Sequence, residues 1–316
     1  LFFYLFILFT FSVSAQVIDN SATFRDTGSD KYIRFFYDND FFTATDEYYT
    51  QGMVLEWVDP QLKKFPLAKL LIQPAGYYNR FGLTAEHVAY TPTSIRHPEI
   101  IYEDRPFAAF LLLKAFAISV SGESKNRIVS AISLGVIGPA AGGEEIQTSI
   151  HRWLNNIEPL GWSNQIANDF IINYKLDYEK ILLNKNQHLH LTLNSGINIG
   201  SLSDKLSVGF SVMTGLLPNI NNQIEKGKRN FKFHLYNQST INLVGYDATL
   251  QGGLTNNNSP YILERDEVSR LTFQNKAGVV ITIHKLHLEY FLAIITKEFN
   301  NGKYHGWGGI RIGWVY

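Results

Sequence analysis

Apolar and polar residues alternate strictly over long stretches of this chain. From His188 to Gly200, Leu189, Leu191, Leu193, Ile197 and Ile199 share one face, and His190, Thr192, Asn194, Gly196 and Asn198 share the other. The same period runs through Leu206, Val208, Phe210 and Val212, and through Leu271, Phe273, Ala277, Val279, Ile281 and Ile283. A β-strand is the element that sends alternate side chains to opposite faces. In a soluble sandwich the apolar face is core, whereas in an outer-membrane barrel it meets lipid and the polar, Gly-rich face lines the lumen. Length favours the barrel, because crossing a membrane takes about 9–11 residues per strand and soluble strands average about five or six.

The pattern predicts strands near 31–38, 49–58, 80–91, 106–120, 127–137, 169–182, 188–199, 205–215, 231–244, 268–283, 286–297 and 306–316. Twelve is an even number, as a closed antiparallel bacterial barrel requires. The fourth and eleventh alternate weakly, because Lys114 and Tyr290 blur their faces. The last strand carries Ile310, Ile312, Trp314 and Tyr316 on one side and stops on an aromatic, which suits a membrane interface. No repeat or linker suggests a second domain. The expected fold is an all-β, twelve-stranded antiparallel outer-membrane barrel over 16–316, with one short helix in an outward loop.

Residues 1–15 form an uncharged run of Leu, Phe and Ile closing on Val13-Ser14-Ala15, which reads as a secretory signal peptide too short to span a bilayer. The chain is rich in aromatics, with 17 Tyr and 22 Phe, and has no Cys, so stability must come from a large core or a closed sheet. Twenty-eight basic and 28 acidic residues cancel, which gives no broad field for nucleic acid. With both ends in the periplasm, the connections 39–48, 92–105, 138–168, 200–204, 245–267 and 298–305 face outward. The inward connection 59–79 is long for a periplasmic turn, and its Lys and Pro residues do not define its shape.

The outward connections hold the unusual clusters. Tyr37-Asp38-Asn39-Asp40, followed by Asp46-Glu47-Tyr48-Tyr49-Thr50-Gln51-Gly52, packs oxygens into a short loop, suited either to a hard cation such as calcium or to a self-capped turn. Gly138-Pro139 and Gly142-Gly143-Glu144-Glu145 open a helix whose Ile146, Ile150, Trp153 and Ile157 recur at helical spacing. Gln147 and His151 lie at i and i+4, on a stripe beside the apolar one. Arg96-His97-Pro98-Glu99 and Glu103-Asp104-Arg105-Pro106 offer guanidinium forks for an anionic head group, or equally a set of rim ion pairs. There is no Gly-x-Ser-x-Gly elbow, two-His zinc helix, phosphate loop or dinucleotide fingerprint.

Taken in order, Asp38-Asn39-Asp40, Tyr48-Tyr49-Thr50-Gln51-Gly52, Asp104-Arg105-Pro106-Phe107-Ala108, Gly138-Pro139 with Gly142-Gly143, Gln147 and His151, then Gly161-Trp162 with Asn164-Gln165, resemble the lipid A 3'-O-deacylase (LpxR-like) family. The resemblance implies a calcium-dependent esterase acting on lipid A or lipopolysaccharide in the bacterial outer membrane, as a monomer. It implies catalytic roles for His151, Asn39, Asp40 and Thr50, and substrate contacts for Arg96, Gln147 and Arg105. It also implies metal ligation by Asp40 and Glu158. Ile95 stands where some relatives carry a second basic residue. The alternative from another class is a non-catalytic outer-membrane channel or structural barrel; a soluble periplasmic sandwich is a third.

Overall fold

Period-two patterning is realised as twelve strands. The computed structural model describes residues 21–45, 47–121, 125–185, 188–217 and 231–316. The signal peptide expected at 1–15 lies outside the described residues. The strands are β1 (Tyr32–Asn39), β2 (Tyr48–Val58), β3 (Tyr78–Thr91), β4 (Ala108–Val120), β5 (Asn126–Ile137), β6 (Asp169–Lys185), β7 (Leu189–Gly200), β8 (Ser203–Leu216), β9 (Phe231–Asp247), β10 (Leu271–Ile283), β11 (Leu286–Ile295) and β12 (His305–Val315). Each pairs antiparallel with its sequence neighbours, and β1 pairs β12 from Tyr32↔Val315 to Asn39↔Gly308, so the sheet closes. Two helices, α1 (Gly143–Trp153) and α2 (Ala248–Gln251), lie in outward connections. Val268, expected to open the tenth strand, makes only an isolated bridge to Phe299, and the strand begins at Leu271.

Ile33, Phe35, Leu55, Trp57, Leu111, Leu113, Ile197, Ile199, Ile310, Ile312 and Trp314 are all exposed on the outer wall. An apolar wall of this extent is stable only against hydrocarbon, which excludes the soluble sandwich. No helix among the described residues is long and apolar enough to cross a membrane, so the crossing is made by strands. The two residues that blurred the pattern separate cleanly. Lys114 faces the lumen and pairs with Glu86 at 2.5 Å, while Tyr290 lies on the outer wall against Phe42.

The lumen is polar and ion-paired. Arg34 meets Glu56 at 2.6 Å, and Arg311 bridges Asp38 and Glu289. Residues 21–26 run into this space: Phe24 stacks on Tyr236 at 4.0 Å, Arg25 reaches Glu289 at 3.0 Å, Thr23 binds Glu179, and Asp26 is gripped by Arg80 and Arg127. Removing one partner of such a buried pair costs about 3–5 kcal/mol, because the other charge is stranded.

Two connections fold over the outside of the wall. The inward segment 59–77 forms two 3-10 turns, Pro60–Lys64 and Pro66–Leu70, each started by a Pro. They bury Leu62, Ala68 and Leu71 in a cluster with Phe81, Ala115, Ala117 and Ile132. At the outward end, Ile95, Phe107, Ala141 and Trp162 cluster with Ala89 and Ala109, and Val136 packs against them. Ala109 lies on the same face of β4 as the lipid-exposed Leu111 and Leu113. The loops before β4 and before β6 therefore cap the outer wall of the barrel.

Candidate active site

Asn39 ends β1 on the outer-wall face, following Ile33, Phe35 and Tyr37 in the alternation. Its Oδ1 accepts from Phe41 N at 2.8 Å, capping the 3-10 turn Asp40–Thr43, and its Nδ2 donates to Thr50 O at 2.5 Å. Asp40 is 2% exposed, and its backbone carbonyl accepts the hydroxyls of Thr43 and Thr45. The turn lies on Gly306 and Gly308 of β12, where a Cβ at Gly308 would stand 2.7 Å from the Phe42 Cβ. Thr50 is the extra residue of a bulge between Tyr49↔Tyr90 and Gln51↔Ala89. A bulge re-aims a side chain, and the Thr50 hydroxyl here meets that of Thr91 at 2.7 Å. Asn39 and Thr50 are thus hydrogen-bonded to each other at the outward rim, with Asp40 next to Asn39 in the chain.

The second group hangs from α1. Gly138, at φ 99°, takes a conformation open to glycine, and a Cβ there would meet the Ala167–Asn168 backbone at 2.7 Å. Gly143 lets the start of α1 settle on Ala109 and Trp162, whose nearest atoms would be 2.5 and 2.7 Å from an added Cβ. The face so pressed inward is Gly143, Gln147 and His151, spaced by four; the three residues are buried, while Trp153 is 83% exposed. Gln147 Oε1 accepts from Trp162 Nε1 at 2.6 Å, which fixes the amide, and its buried Nε2 has no partner among the described residues. His151 Nδ1 lies 2.5 Å from Ile157 O. A carbonyl can only accept, so Nδ1 carries the proton and Nε2 keeps its lone pair in the neutral ring.

The two groups meet across β3. Thr91, bonded to Thr50, and Ala89, buried beneath the cap, are successive residues on its outer face, about 7 Å apart. No hydrogen bond joins His151 or Gln147 to Asn39, Asp40 or Thr50 among the described residues; what they share is this strip of wall.

The family model for outer membrane protein LpxR matches residues 1–316. The chain belongs to the LpxR family. No curated protein matches it. Among solved structures, LpxR from Salmonella typhimurium is similar at TM-score 0.74 and 19% identity, over 90% of this chain and 100% of that one. The beta domain of the Bordetella autotransporter BrkA is similar at TM-score 0.46 and 8% identity, over 90% of this chain and 98% of that one. The fold is that of the Salmonella protein, and LpxR membership places the chain in the outer membrane. It also supports lipid A deacylation as the activity.

Three expected site residues sit differently from the rest. Arg96 is exposed, and its guanidinium has no partner among the described residues. Arg105, expected at the substrate, is 1% exposed inside the barrel mouth; it donates to Glu298 at 2.5 Å and to Thr249 at 2.6 Å, and lies 4.0 Å over the Tyr90 ring. Its loop dives inward because Asp104 accepts from Thr93 and from Arg105 N, so Arg105 clamps the mouth and is not available to a head group. Glu158, expected at the metal, is largely solvent-exposed and taken bidentately by Arg152 at 2.8 Å, which holds its pKa below the usual carboxylate range.

Among the described residues no three His, Cys, Asp or Glu side chains converge on a metal-sized centre. The rim carries the buried carboxylate of Asp40 and the hydroxyls of Thr50 and Thr91. Oxygen donors of this kind suit a hard cation such as calcium, which accepts neutral oxygens, and a chain without Cys has no thiolate to offer. Sequence reading missed Thr91, which fixes Thr50, and the role of Trp162 as the holder of Gln147. It also missed Gln51, 2% exposed on the outer-wall side of the bulge, with Nε2 lacking a partner among the described residues. The bulge could not be read from sequence, because a single extra residue leaves the alternation on both sides intact.

Proposed function

We propose that this chain hydrolyses an acyl ester of lipid A in a calcium-dependent reaction, with His151 activating water. The observation that carries the reading is the inverted helix: α1 buries Gln147 and His151 against the wall, an arrangement that packing alone disfavours. His151 Nε2 takes the proton of the attacking water, while the Nδ1–Ile157 bond holds the tautomer that makes this possible. Asp40, with neutral rim oxygens, would hold the cation, and Glu158 would not. Calcium, when bound, supplies Lewis-acid stabilisation of the ester carbonyl oxygen. Asn39 keeps the Asp40 turn and the Thr50 carbonyl in register, Thr50 and Thr91 offer hydroxyls beside the reacting ester, and the Gln147 amide N–H₂ orients it. Arg96 is placed to meet a lipid A phosphate. No serine nucleophile is required, which agrees with the missing elbow.

The channel alternative is disfavoured by residues 21–26, whose ion pairs and stacked ring occupy the lumen. The test is fatty-acid release from lipid A by the detergent-purified protein, followed by mass spectrometry with calcium or chelator. Wild type should release acid in calcium alone, and His151→Ala and Asp40→Ala should each lose about 10²–10³ in rate. No release by wild type in calcium, under conditions where a known deacylase works, rejects the proposal.

A further inference from the structure

The inversion of α1 has a second face. Burying Gln147 and His151 turns the apolar residues outward: Trp153 is 83% exposed, Leu154 59%, Ile157 43% and Leu160 52%. Four large apolar side chains within eight residues make a patch of the kind that soluble surfaces avoid, since each gains about 1.5–3 kcal/mol on leaving water. Their position says what covers them. The cap that carries them is fixed to the outer wall, with Ala109 and Val136 beneath it. Two residues along the same strand faces, Leu111 and Leu134 are exposed to lipid, and Phe170 at the start of β6 is 82% exposed. The patch is thus continuous with the hydrocarbon-facing belt. Between its members, Arg152 and Glu158 satisfy each other through two 2.8 Å hydrogen bonds, as a charged pair must at a boundary with hydrocarbon, and a Trp suits the same level.

We infer that Trp153, Leu154, Ile157 and Leu160 form a lip immersed among the acyl chains of the outer leaflet, so that the site beneath α1 is entered sideways from the membrane. The occupant of the lip is bulk lipid hydrocarbon. The entry route rests on the deacylase reading; the immersion does not. The site then has the lip on one side and, on the other, Phe41, 60% exposed on the Asp40 turn. An ester whose chains already lie in the leaflet reaches His151 without its hydrocarbon crossing water.

The chain has no Cys, so one introduced thiol labels one position. Leu154→Cys, carrying an environment-sensitive fluorophore, is reconstituted as the full barrel into phosphatidylcholine vesicles with or without bromine on the acyl chains. Leu111→Cys on the belt is the lipid reference, and Asp266→Cys, exposed in an outward loop, is the water reference. Bromolipid should quench the label at 154 at least about half as strongly as at 111 and several-fold more than at 266, with iodide showing the reverse order. Quenching at 154 equal to that at 266 overturns the inference, and so does protection from both quenchers, which a second copy or another protein on the patch would give. In the activity arm, combined Trp153→Ser, Leu154→Ser and Leu160→Ser should raise KM for vesicle-embedded lipid A by about tenfold with kcat retained. An unchanged KM removes the entry route. If the label is quenched while wild type releases no fatty acid, the lip stands and the deacylase reading falls.

Discussion

Two segments cover the outside of the same stretch of wall, one at each end, and they do it oppositely. The inner segment, 59–77, largely follows the amphipathic rule: Leu62, Ala68 and Leu71 go down onto Phe81, Ala115 and Ala117, while Gln61, Lys63, Lys64 and Lys69 stay exposed, together with Leu70 and Ile72. The outer segment breaks it, with α1 burying Gln147 and His151 and presenting Trp153 and Leu154 outward. A covering that only has to cover puts apolar on apolar. A covering that buries an imidazole and a half-satisfied amide, each costly unless partnered, does more than packing requires, and the proposed deacylase chemistry gives it a reason.

The contrast is most sharply tested by cutting each segment at its centre. His151→Ala should lower fatty-acid release by about 10²–10³ and leave the heat-modifiability midpoint where it was. Leu62→Ala should do the reverse, losing about 2 kcal/mol of stability with release per folded molecule unchanged. If both lower activity alike, the outer segment is a second structural cover. Glycine substitutions make a subtler pair. Gly143→Ala drives a methyl into Ala109 and Trp162 and should lift α1, costing release about tenfold or more. Gly76→Ala, at φ 78° with nothing within 4 Å, should cost only about 1 kcal/mol of stability and no activity. Trp162→Phe removes the donor to Gln147 Oε1 and should destabilise the outer cap by about 1–3 kcal/mol, seen as faster local amide exchange in α1.

The smallest effect separates both caps from the barrel mouth. Burial, reinforced by Asp247, pushes the Glu298 pKa up to about 7 against the pull of Arg105 and Lys205. A carboxyl whose folded pKa is raised contributes stability that is full below its ordinary value near 4.5 and lost as pH rises through about 7. Wild type should therefore lose thermal stability between pH 5 and 8 relative to Glu298→Gln, while the pH profile of hydrolysis stays the same in both. A profile that moves with Glu298 would tie the mouth to the site.

Most of the barrel was legible because period-two alternation and length are both backbone properties, and lipid enforces them on every strand. Lys114 and Tyr290 confused the pattern only because one is a lumen residue neutralised by Glu86 and the other an interfacial aromatic. The segment 59–77 was not legible, since two Pro-started 3-10 turns have no period long enough to read. A helix carrying Ile146, Ile150, Trp153 and Ile157 at helical spacing was expected; it forms over 143–153 and stops short of Ile157, and periodicity, which put Gln147 and His151 on one stripe, left open which stripe meets protein when the other side is hydrocarbon. The partners of Arg105 and Glu158 were hidden for a related reason. Charge in a loop shows that a partner is needed, and the structure supplies Glu298 to the one and Arg152 to the other. Asn39 and Thr50 were picked out by motif, and their joining through one hydrogen bond depends on a bulge that sequence conceals.

The central claim is that chemistry takes place on the outer wall beneath α1. Its most direct test is the structure of the protein with calcium and a lipid A analogue whose ester is replaced by an amide. The scissile carbonyl carbon should lie roughly 4–6 Å from His151 Nε2, with room for one water between them. An analogue bound instead in the lumen mouth against Arg105, with His151 facing no part of it, contradicts the account.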